Sequence, residues 1–165
     1  MSDRYAVIGN PIGHTKSPLI HGLFVEKTGH DMTYAALEGP REPAHAFADT
    51  VRRFIDAGGK GMNVTAPFKL QAFEMADERS ERATLAGAVN AMKFEDGRII
   101  AENFDGVGLV RDIEVNLHQP MANKRVLILG ARPAQLVIAN RHVDKAQALV
   151  EAVRADGVLS ACGYA

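Results

Sequence analysis

Strand-like and helix-like segments alternate along the first half of this chain, and that alternation limits the folds open to it. Apolar segments of strand length occupy residues 5–8, 32–37 and 61–64. Helical spacing runs through 18–28, 43–57 and 67–76. In the second helical stretch Phe47, Val51, Phe54 and Ile55 recur on one face, and Gly58-Gly59 ends it. Strands separated by helices predict an α/β fold with a mainly parallel sheet covered by helices, because a parallel connection must cross back over the sheet. Residues 88–94 and 98–101 then flank Glu95-Asp96-Gly97. Asp-Gly between two apolar runs predicts a tight hairpin. A further helix is predicted from Asp105, carrying Val107, Leu109, Val110, Ile113 and Leu117.

A linker at 119–124, containing Pro and Asn, separates this first domain (1–118) from a tail (125–165). The tail reads as a partial Rossmann-like domain: strands at 125–130 and 136–139, a helix at 143–155, and a strand at 158–159. One detail conflicts with a complete domain. Its first two strands should be parallel neighbours, yet only residues 131–135 join them. Five extended residues span roughly 17 Å. That barely retraces one strand and leaves nothing for a helix. Two readings stand: the molecule lacks the turn and helix, or residues are missing between Ala131 and Arg132. The intact flanking strands favour the second. A nucleotide domain would also need residues after Ala165.

Composition narrows the function. The chain of 165 residues has a net charge of -1 and 24% charged residues, without the basic excess expected of a nucleic-acid binder. No apolar run approaches the ~18 residues of a membrane span, and the N-terminus lacks a signal-peptide layout. The single cysteine, Cys162, forms no internal disulfide and suits a reducing cytoplasm. The six His show no metal-ligand spacing, so no metal is expected.

Four segments carry candidate chemistry. In Gly9-Asn10-Pro11-Ile12-Gly13-His14-Thr15-Lys16-Ser17-Pro18, a strand runs into a turn, two hydroxyls follow, and Pro18 opens a helix for which Ser17 is a plausible cap. His21 follows soon after. In Gly61-Met62-Asn63-Val64-Thr65-Ala66-Pro67-Phe68-Lys69, Lys69 falls in the first turn of a helix. The positive end of a helix disfavours a cation, so Lys69 is expected to have a lowered pKa and to exchange a proton readily. The plain alternative is a solvated lysine. In Ala86-Gly87-Ala88-Val89-Asn90-Ala91, Asn90 lies in a strand pattern where Asn is uncommon. It can donate to and accept from a ligand hydroxyl, or simply mark a bulge. In Asn103-Phe104-Asp105-Gly106, Asp105 stands where the helix begins. It would act as an ordinary helix cap or as the partner of Lys69.

Together, in this order, the four segments resemble the substrate domain of the shikimate dehydrogenase family, over about residues 4–118. That resemblance implies NADP-dependent interconversion of 3-dehydroshikimate and shikimate, a step toward aromatic amino acids. It implies that Thr15 and Ser17 hold the substrate carboxylate. Asn63, Thr65, Asn90 and Asp105 would bind the ring hydroxyls, and Lys69 with Asp105 would be catalytic. In the tail, Asn140, Arg141 and Lys145 resemble the family's NADP-binding segment, and an Arg at that strand end suits the 2′-phosphate. Gly130 and Ala131 stand where the phosphate-binding turn should start, but its later glycines are absent. Thr15 replaces a usual Ser and keeps the hydroxyl. Ala66 replaces a usual Val. Phe104 replaces a usual Thr, losing a hydroxyl and adding bulk. A quinate-preferring relative and a non-catalytic module binding shikimate-like acids therefore stay open. The expected partner is a small molecule, with no nucleic acid or membrane, and the expected state is monomer or homodimer.

Overall fold

The computed structural model describes residues 2–43, 45–122, 135–139 and 158–162. The chain divides into two compact units, Met1–Leu117 and His118–Ala165. The first unit runs β1 (Asp3–Gly9), α1 (Ser17–Thr28), β2 (Met32–Glu38), α2 (Ala46–Asp56), β3 (Gly59–Val64), α3 (Lys69–Met75), β4 (Glu78–Arg79), α4 (Glu81–Ala86), β5 (Ala91–Glu95), β6 (Arg98–Glu102) and α5 (Asp105–Arg111). A π-helical turn over Asp112–Asn116 continues α5.

The strands form one sheet in the order β2-β1-β3-β5-β6-β4. β1 lies parallel to β2 and to β3, with α1 and α2 as the crossovers. The expected α/β architecture is present, and the sheet is mixed. β5 runs antiparallel to β3 and to β6, while short β4 runs parallel to β6. Glu95 pairs with Arg98, so Asp96 and Gly97 alone make the hairpin loop. Both have positive φ, 52° and 74°. That is the geometry whose twist matches the flanking strands, and Asp-Gly favours it.

β5 starts at Ala91, later than the sequence pattern suggests. The preceding amides are already committed. Ala88 N–H donates to the Ala83 carbonyl at 3.3 Å, and Val89 N–H to the Lys69 carbonyl at 3.0 Å. Asn90 therefore sits just ahead of the strand rather than inside it.

One face of the sheet packs against α2, α3 and α4. Ala6 and Ile8 from β1, Met62 and Val64 from β3, and Phe94 from β5 meet Phe47, Val51, Phe68 and Ala72 there. Phe47 and Val51 are one helical turn apart and point the same way. The Phe47 and Phe68 rings stack at 4.9 Å, and both are essentially fully buried. α1 buries no residue, and its Leu19, Ile20, Leu23 and Phe24 are exposed.

In the second unit, β7 (Gln135–Ala139) and β8 (Val158–Cys162) pair in parallel. They contain the expected strands at 136–139 and 158–159. The strand expected at 125–130 and the helix expected at 143–155 lie outside the described residues.

Candidate active site

The strand order places a crossing point between β1 and β3. From β1 the chain goes to one side to form β2, then returns to the other side for β3. Loops leaving the carboxyl ends of β1 and β3 part there, and a crevice opens between them. Because β5 is antiparallel, its amino end meets this same edge, and β6 brings its carboxyl end back to it. Val64 N–H donates to the Asn90 carbonyl, and Asn90 N–H to the Glu102 carbonyl. All four motif segments thus converge on one edge of the sheet.

The β1 turn is tied directly to the loop after β3. Thr65 N–H donates to the Ile8 carbonyl and Asn10 N–H to the Ala66 carbonyl, each at 3.0 Å. A Cβ on Gly9 would lie 2.4 Å from Thr65 Cγ2, so only glycine permits this approach. Thr65 is half-buried here.

Thr15 and Ser17 lie side by side. The Thr15 hydroxyl donates to Ser17 Oγ at 3.1 Å and accepts the Ser17 amide at 3.2 Å. Ser17 is therefore the first helical residue, not the cap; Lys16 takes the cap position without a side-chain bond. Thr15 satisfies the amide of Ser17, and the two hydroxyls stay paired.

Lys69 opens α3. Its Nζ donates to Asp105 Oδ2 at 2.5 Å, across 36 residues of sequence. The other carboxylate oxygen accepts from Asn90 Nδ2 at 2.7 Å. Asn90 Oδ1 in turn accepts the Phe104 amide at 3.0 Å. Asp105 does not cap α5: Phe104 holds the cap position, and the Asp105 amide donates to Asn103 Oδ1 at 3.0 Å. Freed from capping, the carboxylate turns to Lys69 and Asn90. Partial burial pushes the Asp105 carboxyl up, but the hydrogen bonds from Lys69 and Asn90 and the Lys69 charge outweigh it. The net result lies below the ordinary carboxylate range. Lys69 is 32% exposed and Asp105 54%, so the pair opens to solvent and to any ligand.

Asn63 sits deeper, at the end of β3. Its Oδ1 accepts the Tyr34 hydroxyl at 2.6 Å, and its Nδ2 reaches the Asn90 carbonyl at a long 3.5 Å. Tyr34, His21 and Asn63 close one end of an open groove of about 870 Å³ that continues along the other sheet face over Tyr5, Gly61 and Lys93. Lys69 and Asp105 do not line that groove.

Of the proposed cofactor residues, Gly130, Ala131, Asn140, Arg141 and Lys145 lie outside the described residues. β7 ends at Ala139, so Asn140 and Arg141 directly follow the carboxyl end of a parallel strand. Among the described residues, no group of three or more His, Cys, Asp or Glu could hold a metal ion. No described helix is long and apolar enough to cross a membrane.

Three residues without a role assigned from sequence belong to this edge. Asn103, 7% exposed, donates to the Ala88 carbonyl at 2.9 Å while holding the Asp105 amide. An Asn two residues before an Asp is a readable signal for such a turn. His21 lies four residues after Ser17, hence on the same helix face. Tyr34 gave no signal, because an aromatic residue in a strand is ordinary.

Comparison with known proteins identifies the family. Residues 7–92 match the model of the shikimate dehydrogenase substrate binding domain. The chain is 49% identical to the shikimate dehydrogenase (NADP(+)) of Aromatoleum aromaticum over 179 residues, which takes in 98% of this chain and 63% of that protein. It is 48% identical to that of Cupriavidus pinatubonensis, over 91% of this chain and 55% of that protein. The chain thus spans less than two thirds of these relatives. The fold superposes on the crystal structure of an Ael1 enzyme from Pseudomonas putida with a TM-score of 0.73 and 54% identity, covering 99% of this chain and 64% of that one. On the domain match and these identities, the chain belongs to the shikimate dehydrogenase family.

Proposed function

We propose that this chain carries the substrate site of an enzyme that reduces 3-dehydroshikimate to shikimate with NADPH. The observation that carries the proposal is the Lys69–Asp105 pair, braced by Asn90, at the crossing point of the sheet. The Thr15 and Ser17 hydroxyls are grouped to donate to a carboxylate. Asn63, Thr65, Asn90 and Asp105 ring the space in which hydroxyls of a cyclohexene acid would sit. The Lys69 Nζ would give a proton to the alkoxide oxygen as the ketone is reduced and take it back in the reverse direction. Asp105 keeps its charge and fixes Nζ toward that oxygen.

NADPH, when bound, supplies the hydride. Arg141 and Lys145 carry the charge to hold its 2′-phosphate, and Arg141 follows a parallel strand end, where such contacts arise. Asn140 would add an amide. Gly130 and Ala131 would begin the phosphate turn. The alignment with the Aromatoleum aromaticum relative runs over 179 residues against the 165 of this chain, so that relative holds residues with no counterpart here. Such extra residues suit either reading of the 131–135 connection, a true deletion or residues missing between Ala131 and Arg132, in a proposed tail domain at 125–165 after a substrate domain at 1–118.

The test is Lys69→Ala, assayed for NADPH-dependent turnover and for shikimate binding. Turnover should fall by about 10²–10⁴-fold, the usual worth of a positioned acid or base, while the dissociation constant of shikimate stays within a few-fold. An unchanged rate removes Lys69 from the chemistry. A wild-type chain that binds shikimate without any NADPH-dependent turnover would instead support the non-catalytic module, the reading that holds if the five-residue connection at 131–135 is a true deletion.

A further inference from the structure

The groups proposed to hold the carboxylate and those proposed to hold the ring hydroxyls are separate in sequence, yet a stacked pair of rings joins the elements that carry them. The Tyr34 hydroxyl donates to Asn63 Oδ1 at 2.6 Å. The His21 ring lies flat on the Tyr34 ring, with centroids 3.9 Å apart and planes 6° apart. His21 is on α1 one turn beyond Ser17, and Tyr34 is on β2 at the sheet edge of the unit. Their stack therefore pins the start of α1 to the sheet just where the carboxylate would bind.

The donors beyond Tyr34 run in one direction: Tyr34 to Asn63, and Asn63 toward the Asn90 carbonyl. A phenol has one proton. Since that proton goes to Oδ1, the carboxamide of Asn63 is fixed with its oxygen spent and its nitrogen outward. Without Tyr34 the carboxamide could rotate by half a turn and offer an acceptor instead. Burial pushes the Tyr34 phenol up to about 12, with Ser17 pulling the other way, so the phenol keeps that proton at ordinary pH.

We infer that Tyr34, held flat by His21, is a positioning residue that sets Asn63 as a hydrogen-bond donor to a ring hydroxyl of the bound acid. The inference rests on the substrate class proposed above. Neither residue touches the Lys69–Asp105 pair, so affinity should respond and the chemical step should not.

The test is a double-mutant cycle on shikimate binding, measured calorimetrically on the 165-residue chain with Tyr34→Phe, Asn63→Ala and both. Tyr34→Phe keeps the stack and loses only the hydroxyl. It should weaken binding by about tenfold, the worth of one hydrogen bond that orients a group. Because Tyr34 acts through Asn63, the double variant should bind no worse than Asn63→Ala alone. His21→Phe should restore the binding that His21→Ala loses. Wild-type affinity in Tyr34→Phe, or losses that multiply in the double variant, would overturn the inference.

A second readout needs no ligand. The Asn63 side-chain amide resonances should shift in Tyr34→Phe relative to wild type; unchanged resonances overturn the positioning role. If wild type fails to bind shikimate while those resonances shift, the substrate proposal falls and the Tyr34–Asn63 coupling survives.

Discussion

Asp105 shows how much of a site can depend on which job one carboxylate is released from. At the start of a helix its ordinary work would be to cap amides. Asn103 and the Phe104 backbone do that work instead, and the carboxylate faces Lys69 and Asn90. Sequence placed Asp105 at the helix start and offered both roles; it could not choose, because the choice depends on where β3 delivers Lys69. Phe104, half-exposed beside Asp105, lies 5.4 Å from the Arg82 guanidinium, which sits over its ring. Bulk there bears on substrate choice. Phe104→Thr should change the ratio of kcat/KM for shikimate over quinate by about 10-fold or more, since a polar group gaining or losing its partner shifts the balance by about 1–3 kcal/mol. Parallel kinetics on the two acids check it; an unchanged ratio would show that Phe104 plays no part in selecting between them.

Among the elements, α3 matters most to the site. It is only seven residues long, too short to be stable alone, and is held by Phe68 just before it and Ala72 within it. Phe68 is buried against Phe47 and directly precedes Lys69. Phe68→Ala should cost about 3–5 kcal/mol of folding stability, read from urea unfolding. It should also weaken the Lys69–Asp105 pair by freeing the start of the helix. Most of these elements could be read from the chain. Helical spacing found α2 through Phe47 and Val51, and Asp96-Gly97 located the hairpin because few other sequences accept two positive φ angles. What could not be read was the late start of β5. The Ala88 amide closes the end of α4 on the Ala83 carbonyl, a cap that Gly87 marks locally, but the Val89 amide is drawn off by the Lys69 carbonyl, twenty residues away. Local pattern carries no trace of that second bond.

At the scale of the whole first unit, Glu102 joins the helical layer to the site. Its carboxylate accepts from Arg82 Nη2 at 2.6 Å, from Ser80 Oγ at 2.5 Å and from the Asn103 amide at 2.7 Å. The Arg82 hydrogen bonds pull its pKa down most; burial opposes them, and Ser80 and Asn103 add to the pull, leaving it at about 2. A carboxyl depressed on folding stabilises the fold above its unfolded value of about 4.3 and loses that contribution as pH falls toward 2. Thermal unfolding followed between pH 5 and 2 should therefore show a steeper loss in wild type than in Glu102→Gln. Parallel slopes would mean that Glu102 does not drive the acid response.

The reversal of β5 also divides the sheet into two ends with different freedoms. The Asp96-Gly97 loop lies at the end away from Lys69 and Asn90, five strand residues and roughly 17 Å off. Changes of length or composition at that loop leave the chemical end unaltered. Over evolutionary time, variation should accumulate at the hairpin tip while the opposite rim, where four loops interlock, admits almost none. For an engineer, the tip is the place to attach a probe or graft a binding loop.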